Sequence, residues 1–362
     1  ENGIISKAMQ AKTKTEDSKE TEEAGLKEIE NYINGKSAEA GVVVQDLKSI
    51  KSDGTEGEVI GEKVSDGAEG VVPVPNGFYY VGGTVKSGAV ISDNLADKDK
   101  YKGQEVVGTN LSGNQFVFIP VNGIDLKYEQ DHKYDGKYEY AYTTELSGYT
   151  SQSDWSDDSG EPASVKNYGG FFIGRYEAGY PDEIKEGTIV NYKNSATGKV
   201  PVSKAGVASW NLVNQTVAKA AAESMYNAAD SKVKSKLVDS YAWDTTIAFL
   251  QKVNSDYGSS SEEGNYNDTT FSYTDITGTS KTKESDDEVL VPTGQTTPVC
   301  NIYDMGGNVW EWTTESFSFT NIPYAKRGGN YNNNFANNPA GNRNNNSDNA
   351  NDNNGFRLTL FM

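Results

Sequence analysis

The sequence predicts an α+β fold, in which short strands flank two helices and long polar segments connect them. Runs of β-branched and aromatic residues, separated by Gly, Asn and Pro, predict strands before residue 180 and again after residue 300. Between these regions, apolar residues recur at helical spacing. The chain has 362 residues and a hydrophobic share of 35%, which is enough to fill a core.

Composition and charge exclude several classes of function. The chain has 33 Lys and Arg against 52 Asp and Glu, so its formal net charge is −19. This charge argues against a nucleic acid or an anionic membrane surface as the main partner. A single cysteine, Cys300, excludes an intramolecular disulfide, and a single histidine, His132, excludes a site that needs two imidazoles.

The region before residue 115 divides into two parts. Residues 1–35 are predicted to form a helix with a thin apolar stripe that ends at Asn34-Gly35. Residues 36–114 combine a linker rich in Gly, Ser and Asp with strand patterns, the clearest of which begins at Val71. No run of 18 apolar residues occurs in the chain as given, so no membrane span is predicted within it.

Residues 115–362 form the predicted C-terminal domain. Strand patterns occupy 114–121 and 169–179, and two helices are predicted over about 211–229 and 232–254. Two polar, aperiodic segments, 128–166 and 255–289, are predicted to be surface insertions. This pattern assigns no role to His132 or Cys300, since a lone histidine in a polar loop and a lone buried thiol are usually inert.

The strongest local motif is the turn NIYDMGGNVWEW, residues 301–312. Its two glycines permit a tight turn, and Asp304 and Glu311 place carboxylates on both sides of it. Carbonyls of a tight turn, together with carboxylates, are ligands that calcium takes in proteins. The structural alternative is that the two tryptophans are core anchors and that Glu311 pairs with a buried arginine, Arg327 or Arg357.

Several motifs in a fixed order resemble the formylglycine-generating-enzyme branch of the C-type lectin fold. They are GGFFIGRYEAG, PVSKAGVASWN, AWD at 242–244, NIYDMGGNVWEWT, RGGNY and GFRL. The resemblance covers about residues 115–362 and implies a C-type lectin fold of formylglycine-generating-enzyme type. It also implies a structural calcium ion, held by the side chains of Asp304 and Glu311 and the main-chain carbonyls of Gly307 and Val309. Asp304 stands where the enzymes have an amide.

The same resemblance predicts that the protein is not an enzyme. Formylglycine-generating enzymes hold copper through a pair of cysteines in the C-terminal segment, whereas no cysteine follows Trp312 here. Cys300 precedes the turn and has no second cysteine with which to pair. We therefore expect no catalytic residue, and no cofactor other than calcium.

Asparagine is concentrated between RGGNY and the last strand pattern. Within residues 327–358, framework positions alternate with fourteen asparagines: Asn330, Asn332, Asn333, Asn334, Asn337, Asn338, Asn342, Asn344, Asn345, Asn346, Asn349, Asn351, Asn353 and Asn354. Composition alone leaves open a low-complexity tail that is disordered or prone to aggregation. Ordered motifs on both sides, and the fit of asparagine to irregular loops, favour a folded region.

This pattern resembles the variable region of diversity-generating retroelement proteins. In those systems adenine-directed mutagenesis rewrites asparagine codons, and the new side chains line an exposed face of a C-type lectin fold. The resemblance implies a hypervariable receptor or adhesin that binds a protein or other surface ligand through the fourteen asparagines. An all-asparagine face resembles an unmutated template, so weak binding or none is expected. The alternatives are a C-type-lectin-fold module with a fixed carbohydrate or protein partner and, less favoured, a formylglycine-generating-type oxidase.

The N-terminal segment ENGIISKAMQAKTKTE resembles type IV pilin-like proteins of Gram-positive bacteria. The segments VPVPNGFYYVGGTV and NQFVFIPV resemble the domain that often follows it. Such proteins carry one hydrophobic N-terminal helix, and this chain starts at Glu1 without a methionine, so we expect that helix to precede the sequence given. The resemblance implies display at the cell surface through that helix, and it allows a pilus-like assembly.

Overall fold

The computed structural model describes residues 45–68, 70–107, 111–121, 161–182, 198–258, 262–316, 321 and 323–362. The chain from Asp46 to Met362 forms one unit. The predicted N-terminal helix, His132 and most of the insertion 128–166 lie outside the described residues. No helix among the described residues is long and apolar enough to cross a membrane.

Strands dominate the described residues, in agreement with the β-rich pattern of the sequence. They are β1 Gln45–Ile50, β2 Glu56–Ser65, β3 Val71–Pro75, β4 Tyr79–Gly82, β5 Ala89–Ser92, β6 Gln115–Pro120, β7 Gly170–Gly174, β8 Lys234–Leu237, β9 Phe271–Thr274, β10 Ser280–Lys283, β11 Trp310–Ser316, β12 Tyr324–Arg327, β13 Arg343–Asn346, β14 Asn354–Phe356 and β15 Leu358–Phe361. The helices are α1 Glu161–Tyr168, α2 Gln215–Ser224 and α3 Ser240–Leu250, with a 3-10 turn at Leu95–Asp97.

The largest sheet has six strands in the order β4-β5-β6-β7-β15-β8. Successive side chains of a strand point to opposite faces. On β6, Val117 and Ile119 therefore pack in one hydrophobic core, while Phe116 and Phe118 pack in the other. The sheet thus separates two cores. This arrangement explains why its strands read as continuous apolar runs rather than as alternating patterns.

The chain returns to this sheet at its C-terminus. Strand β15 lies between β7 and β8, with Thr359 opposite both Ile173 and Lys236. Just before it, β14 pairs in parallel with β11 in a second sheet, whose order is β13-β12-β11-β14. One residue, Arg357, therefore connects β14 of the four-stranded sheet to β15 of the six-stranded sheet along the chain.

Part of the predicted second helix is wrong. The segment predicted as one helix over 232–254 begins with strand β8, and α3 starts only at Ser240. Strand β8 buries Ser235 and Leu237 against β15. The helix starts after Asp239 because the carboxylate of Asp239 accepts a hydrogen bond from the Ala242 amide at 2.7 Å, which satisfies a free amide of the first turn.

Other predicted boundaries also change. The first predicted helix, 211–229, is shorter, because Asn214 caps α2 by accepting a hydrogen bond from the Val217 amide at 2.9 Å. The end of the insertion 128–166 contains the start of α1, and the insertion 255–289 contains the antiparallel hairpin β9-β10. In the hairpin loop the Asp275 carboxylate accepts hydrogen bonds from Thr277 and Thr279, and this turn chemistry allows a polar segment to form strands.

Candidate ligand-binding site

The turn before β11 requires an unusual backbone. Asn301, Asp304 and Asn308 have φ values of 64°, 55° and 54°, in the left-handed region that Asn and Asp tolerate best. Gly307 has a φ of 73°, and a Cβ atom there would overlap the main chain of Asn265. The residue types of the motif are therefore those that this backbone needs.

Glu311 pairs with Arg357, one of the two arginines named in the structural alternative. Arg357 Nη2 lies 2.8 Å from Glu311 Oε1 and its Nε lies 3.0 Å from Oε2. Arg357 also donates to the carbonyls of Gly174 at 2.9 Å and Tyr303 at 2.8 Å. Both side chains are fully buried. The predicted arginine pairing is confirmed for Arg357.

Arg327 belongs to a second buried cluster. It forms an ion pair with Asp244, from the AWD motif on α3, and its Nε donates to the carbonyl of Asn342 at 2.9 Å. Arg343, opposite Arg327 on β13, places Nη2 3.3 Å from Asp244 and Nε 3.1 Å from Glu315. This cluster attaches β12 and β13 to α3 by charge-assisted contacts.

The two carboxylates of the predicted calcium site already have protein donors. Asp304 accepts hydrogen bonds from the Gly294 amide at 2.6 Å and the Thr296 hydroxyl at 2.8 Å. Glu311 accepts from Arg357, and burial raises the pKa of Glu311 to about 7 despite that guanidinium. Arg357 thus supplies one positive charge beside Asp304 and Glu311, which only partly offsets the effect of burial on their pKa values.

The donor set therefore does not fit a calcium ion in this arrangement. Among the described residues, no group of three Asp, Glu, His or Cys side chains is placed to hold a metal. The carbonyls of Gly307 and Val309 belong to the turn, but the Glu311 carboxylate of the motif is paired with Arg357. The calcium ion that the resemblance implies, held by Asp304, Gly307, Val309 and Glu311, is untested, and a direct titration would decide it.

Glu177 is a buried acid that the sequence motifs did not single out. Its Oε1 accepts hydrogen bonds from the side chains of Ser209 and Asn308, while its Oε2 has no hydrogen-bond partner among the described residues. Burial raises the pKa of Glu177 well above its ordinary value, and the nearby carboxylates of Asp304 and Glu311 raise it further. A glutamate inside the apolar strand pattern GGFFIGRYEAG was the only sequence signal for this buried position.

Three of the fourteen predicted ligand-binding asparagines are interior residues. Asn330, Asn342 and Asn354 are fully buried, so their assignment to the ligand-binding face is corrected. The Asn342 amide donates to the carbonyl of Asn337 at 3.1 Å, and the Asn354 amide donates to the carbonyl of Asn349 at 3.3 Å. Asn330 Oδ1 accepts a hydrogen bond from the Asn332 amide at 3.0 Å. All three side chains therefore bond to main-chain groups of the loops from inside.

The other eleven asparagines are exposed or half-buried. We call this set the asparagine face, with Asn345 of β13 on the opposite side of the sheet from Asn344 and Asn346. The exposed ones lie on two loops, before and after β13: Asn332, Asn334, Asn337, Asn349 and Asn351. The half-buried ones lie on β13 or flank the exposed positions: Asn333, Asn338, Asn344, Asn345, Asn346 and Asn353. The segment is therefore folded, and its composition does not indicate a disordered tail.

The first loop of the asparagine face is held by main-chain contacts. The Asn267 amide donates to the carbonyl of Asn333 at 2.9 Å, and the Phe335 amide donates to Asp268 Oδ1 at 3.1 Å. The supporting segment is itself anchored by Lys283, whose buried ammonium donates to the carbonyls of Asn267 at 3.1 Å and Thr269 at 2.8 Å. None of these contacts uses the side chain of a face asparagine.

The second loop of the asparagine face is attached to the region before α2. The Leu212 amide donates to the carbonyl of Asn351 at 3.1 Å, and the Asn211 side chain donates to the carbonyl of Asp352 at 2.6 Å. The Thr216 hydroxyl donates to Asp348 at 2.7 Å. The contacts of this loop with the region before α2 use main-chain groups and residues other than asparagines of the face, while within the loop the Asn349 side chain donates to the Ser347 hydroxyl at 2.7 Å.

Residues 220–360 match the family model of the Sulfatase-modifying factor enzyme 1-like domain. This match supports the formylglycine-generating-enzyme type of C-type lectin-like fold for the C-terminal part of the chain. No protein of curated function matches the chain in sequence.

Three solved structures are similar to parts of this chain. CarF is 17% identical, with 53% of this chain and 87% of that chain covered and a TM-score of 0.34. Treponema denticola variable protein 1 is 14% identical, with 53% and 85% covered and a TM-score of 0.33. PvdO from Pseudomonas aeruginosa is 17% identical, with 54% and 82% covered and a TM-score of 0.35.

Proposed function

We propose that the protein is a hypervariable ligand-binding protein, and that the asparagine face binds the ligand. The observation that carries this proposal is the separation of roles within residues 327–358. Eleven asparagine side chains are exposed or half-buried, while the loops that carry them are fixed by main-chain hydrogen bonds and buried residues. A surface of this kind can accept new side chains without losing its backbone.

The buried framework between the asparagines supports the same proposal. Tyr331 and Ala340 are 5% and 3% exposed, and Phe356 and Arg357 are fully buried. The Trp243 indole donates to the carbonyl of Ala340 at 2.9 Å, which anchors the segment to α3 between its two loops. Framework and face residues alternate along the sequence, so changes on the face leave the anchors in place.

A binding role, rather than an oxidative enzyme, is part of the proposal. The chain has one cysteine, Cys300, which is buried. Burial raises the pKa of the Cys300 thiol to about 12, so its reactive thiolate is scarce at neutral pH. A copper site built from two cysteines would need a second cysteine that the chain does not contain.

The proposal also includes display of the protein at the cell surface. It rests on the resemblance of residues 1–35 to pilin-like proteins, which lies outside the described residues. A protein that presents a variable face to external ligands gains from a stalk that holds the face away from the membrane.

A paired library experiment tests the proposed function. One library randomises the five exposed asparagines, Asn332, Asn334, Asn337, Asn349 and Asn351, and a matched library randomises five residues on or beside β1 and β2, Lys51, Ser52, Glu58, Val59 and Lys63. Both are displayed and selected against the same panel of purified proteins. We expect binders from the asparagine library at a clearly higher frequency, since its positions lie on loops that contacts with the rest of the fold hold in place.

Equal yields from the two libraries would contradict the proposal.

Natural variation provides a second test. Sibling sequences that differ mainly at the asparagine face, beside a reverse transcriptase and a template copy, would support it. Variation spread evenly over the surface would instead support a fixed carbohydrate or protein partner.

A further inference from the structure

Lys326 is a buried cation next to the asparagine face. It lies on β12, directly opposite Trp312 of β11 and Asn344 of β13. Directly opposed residues of neighbouring strands point to the same side of a sheet. Lys326 and Asn344 therefore share one side of the sheet, and Asn344 belongs to the asparagine face. The Lys326 residue is 7% exposed, and Asn344 opposite it is half-buried.

The ammonium of Lys326 is only partly satisfied. Its Nζ lies 5.0 Å from the centroid of the Trp310 ring and donates to Asn354 Oδ1 at 3.3 Å. An ammonium has three N–H donors, and one neutral amide oxygen accounts for one of them. Burial lowers the pKa of Lys326 to about 8, and no acidic group opposes this effect. Buried lysines in proteins are normally paired with an acid.

Two arginines of the same sheet, unlike Lys326, contact acidic side chains. Arg327, the next residue on β12, pairs with Asp244, and Arg343 on β13 lies close to both Asp244 and Glu315. Among the described residues Lys326 has no such carboxylate. The side of the sheet that carries Asn344 therefore has an uncompensated positive charge, in a chain whose net charge is −19.

We propose that Lys326 is a specificity-determining residue of the asparagine face, which binds a carboxylate group of the ligand. The inference rests on the proposed function, since it concerns the ligand of that face. A carboxylate provides the missing opposite charge and accepts the remaining N–H groups in charge-assisted hydrogen bonds. Trp310 and Asn354, which contact the ammonium, are both buried.

In this role Lys326 is the constant part of the ligand-binding surface, and the eleven face asparagines are the variable part. Lys326 is not an asparagine and is held by buried groups, so changes at the eleven face positions leave it in place. Variants of the face would then share a preference for ligands with an acidic group near Asn344. The variable side chains would select among such ligands.

Two small probes test the proposal on the full chain. N-acetyl-glutamate amide carries the carboxylate of an acidic side chain, and N-acetyl-glutamine amide is its neutral match. The readout is the indole N–H signal of Trp310 in a proton–nitrogen correlation spectrum, assigned with Trp310→Phe. We expect a saturable shift of this signal with the glutamate probe, and at least tenfold weaker binding of the glutamine probe.

Variants at Lys326 test whether the shift of the Trp310 signal depends on the ammonium of Lys326. Lys326→Met should abolish the shift, Lys326→Arg should retain it because the charge is kept, and Lys63→Met, at an exposed lysine on β2, should leave it unchanged. Equal shifts with both probes, or a shift that persists in Lys326→Met, would overturn the proposal. If Lys326→Met does not fold, the comparison of the two probes on the parent protein and on Lys326→Arg still tests whether Lys326 binds the carboxylate.

Failure of this inference is distinguishable from failure of the proposed function. If the asparagine library yields binders but the glutamate probe does not bind the parent protein, only the role of Lys326 is wrong. If the glutamate probe binds through Lys326 but the library yields no binders, the carboxylate site exists and the variable binding face does not.

Discussion

Arg357 and Glu311 form a fully buried ion pair at the junction of the two main sheets. Glu311 belongs to β11 of the four-stranded sheet, and Arg357 is the residue between β14 of that sheet and β15 of the six-stranded sheet. The same guanidinium donates to the carbonyl of Gly174 on β7 and to the carbonyl of Tyr303 in the turn. One side chain therefore links both sheets and the turn that precedes β11.

Removing this link should destabilise the protein strongly. We expect Arg357→Met to lower the free energy of unfolding by about 3–5 kcal/mol, because Glu311 and two carbonyls would lose their buried donor. Urea denaturation measures the change. The matched control is Lys48→Met, which removes an exposed ion pair with Glu56, and no measurable change is expected there. A loss for Arg357→Met as small as that of the control would contradict the linking role.

The same arrangement makes a prediction about calcium. Because Arg357 already compensates Glu311, and Gly294 and Thr296 already donate to Asp304, we expect the melting temperature to be the same in calcium and in a chelator. A ligand that binds only the folded state raises the melting temperature. A rise in calcium that disappears in Asp304→Asn would show that the metal site predicted from the turn motif exists.

Glu177 should make stability depend on pH. Its pKa in the folded protein lies well above the ordinary value of 4.5, because of burial and the neighbouring carboxylates of Asp304 and Glu311, which Arg357 only partly offsets. Between these two pKa values the folded protein keeps a proton that the unfolded chain releases. Stability should therefore fall as pH rises above about 4.5, by up to about 1.4 kcal/mol per pH unit for one proton.

Glu177→Gln should flatten this dependence, since an amide does not titrate. Urea denaturation at pH 5 and pH 8 measures the difference in slope, and Glu58→Gln on β2 is the exposed control. Some slope should remain in Glu177→Gln, because burial also raises the pKa values of Asp304 and Glu311. An unchanged slope would mean that Glu177 is ionised in the folded protein.

Asn345 of the asparagine face should cost stability. The side-chain nitrogen of Asn345 on β13 is buried and has no hydrogen-bond partner among the described residues. Asn345→Thr removes this group and suits a strand, so we expect a gain of about 1 kcal/mol in the free energy of unfolding. Asn354→Thr is the contrasting variant, because the amide of Asn354 bonds to Lys326 and to Asn349. It should lose about 1–3 kcal/mol. Thermal denaturation of both variants tests the contrast, and a loss in Asn345→Thr would contradict it.

The sequence predicted the fold type and the strands of the large sheet because their apolar runs are long and bounded by turn residues. It did not predict β8, because Lys234–Leu237 alternates weakly and gains its strand partner only from β15, more than a hundred residues later. It predicted the arginine partner of Glu311 only as one of two alternatives. The strand register places Arg327 opposite Glu311, yet Arg327 pairs with Asp244 of α3 and Arg357 pairs with Glu311. The choice therefore depends on how α3 and the residue after β14 pack, which sequence patterns do not reveal.

Within the asparagine-rich segment, sequence reasoning identified the region but could not separate the face from the interior. Asn330, Asn342 and Asn354 have the same residue type as their neighbours, and only the folded chain shows that they are buried. Lys326 and Glu177 were missed for a related reason. Each is an ordinary charged residue in the sequence, and its character comes from burial without a full set of partners.

The central claim is that the scaffold tolerates change on the asparagine face but not at the three buried asparagines. Its most direct test is the fraction of protease-resistant, displayed protein in two libraries, one at Asn332, Asn337 and Asn351, and one at Asn330, Asn342 and Asn354. We predict that most members of the first library resist protease as the parent does, and that few members of the second do. Similar resistant fractions in the two libraries would contradict the claim.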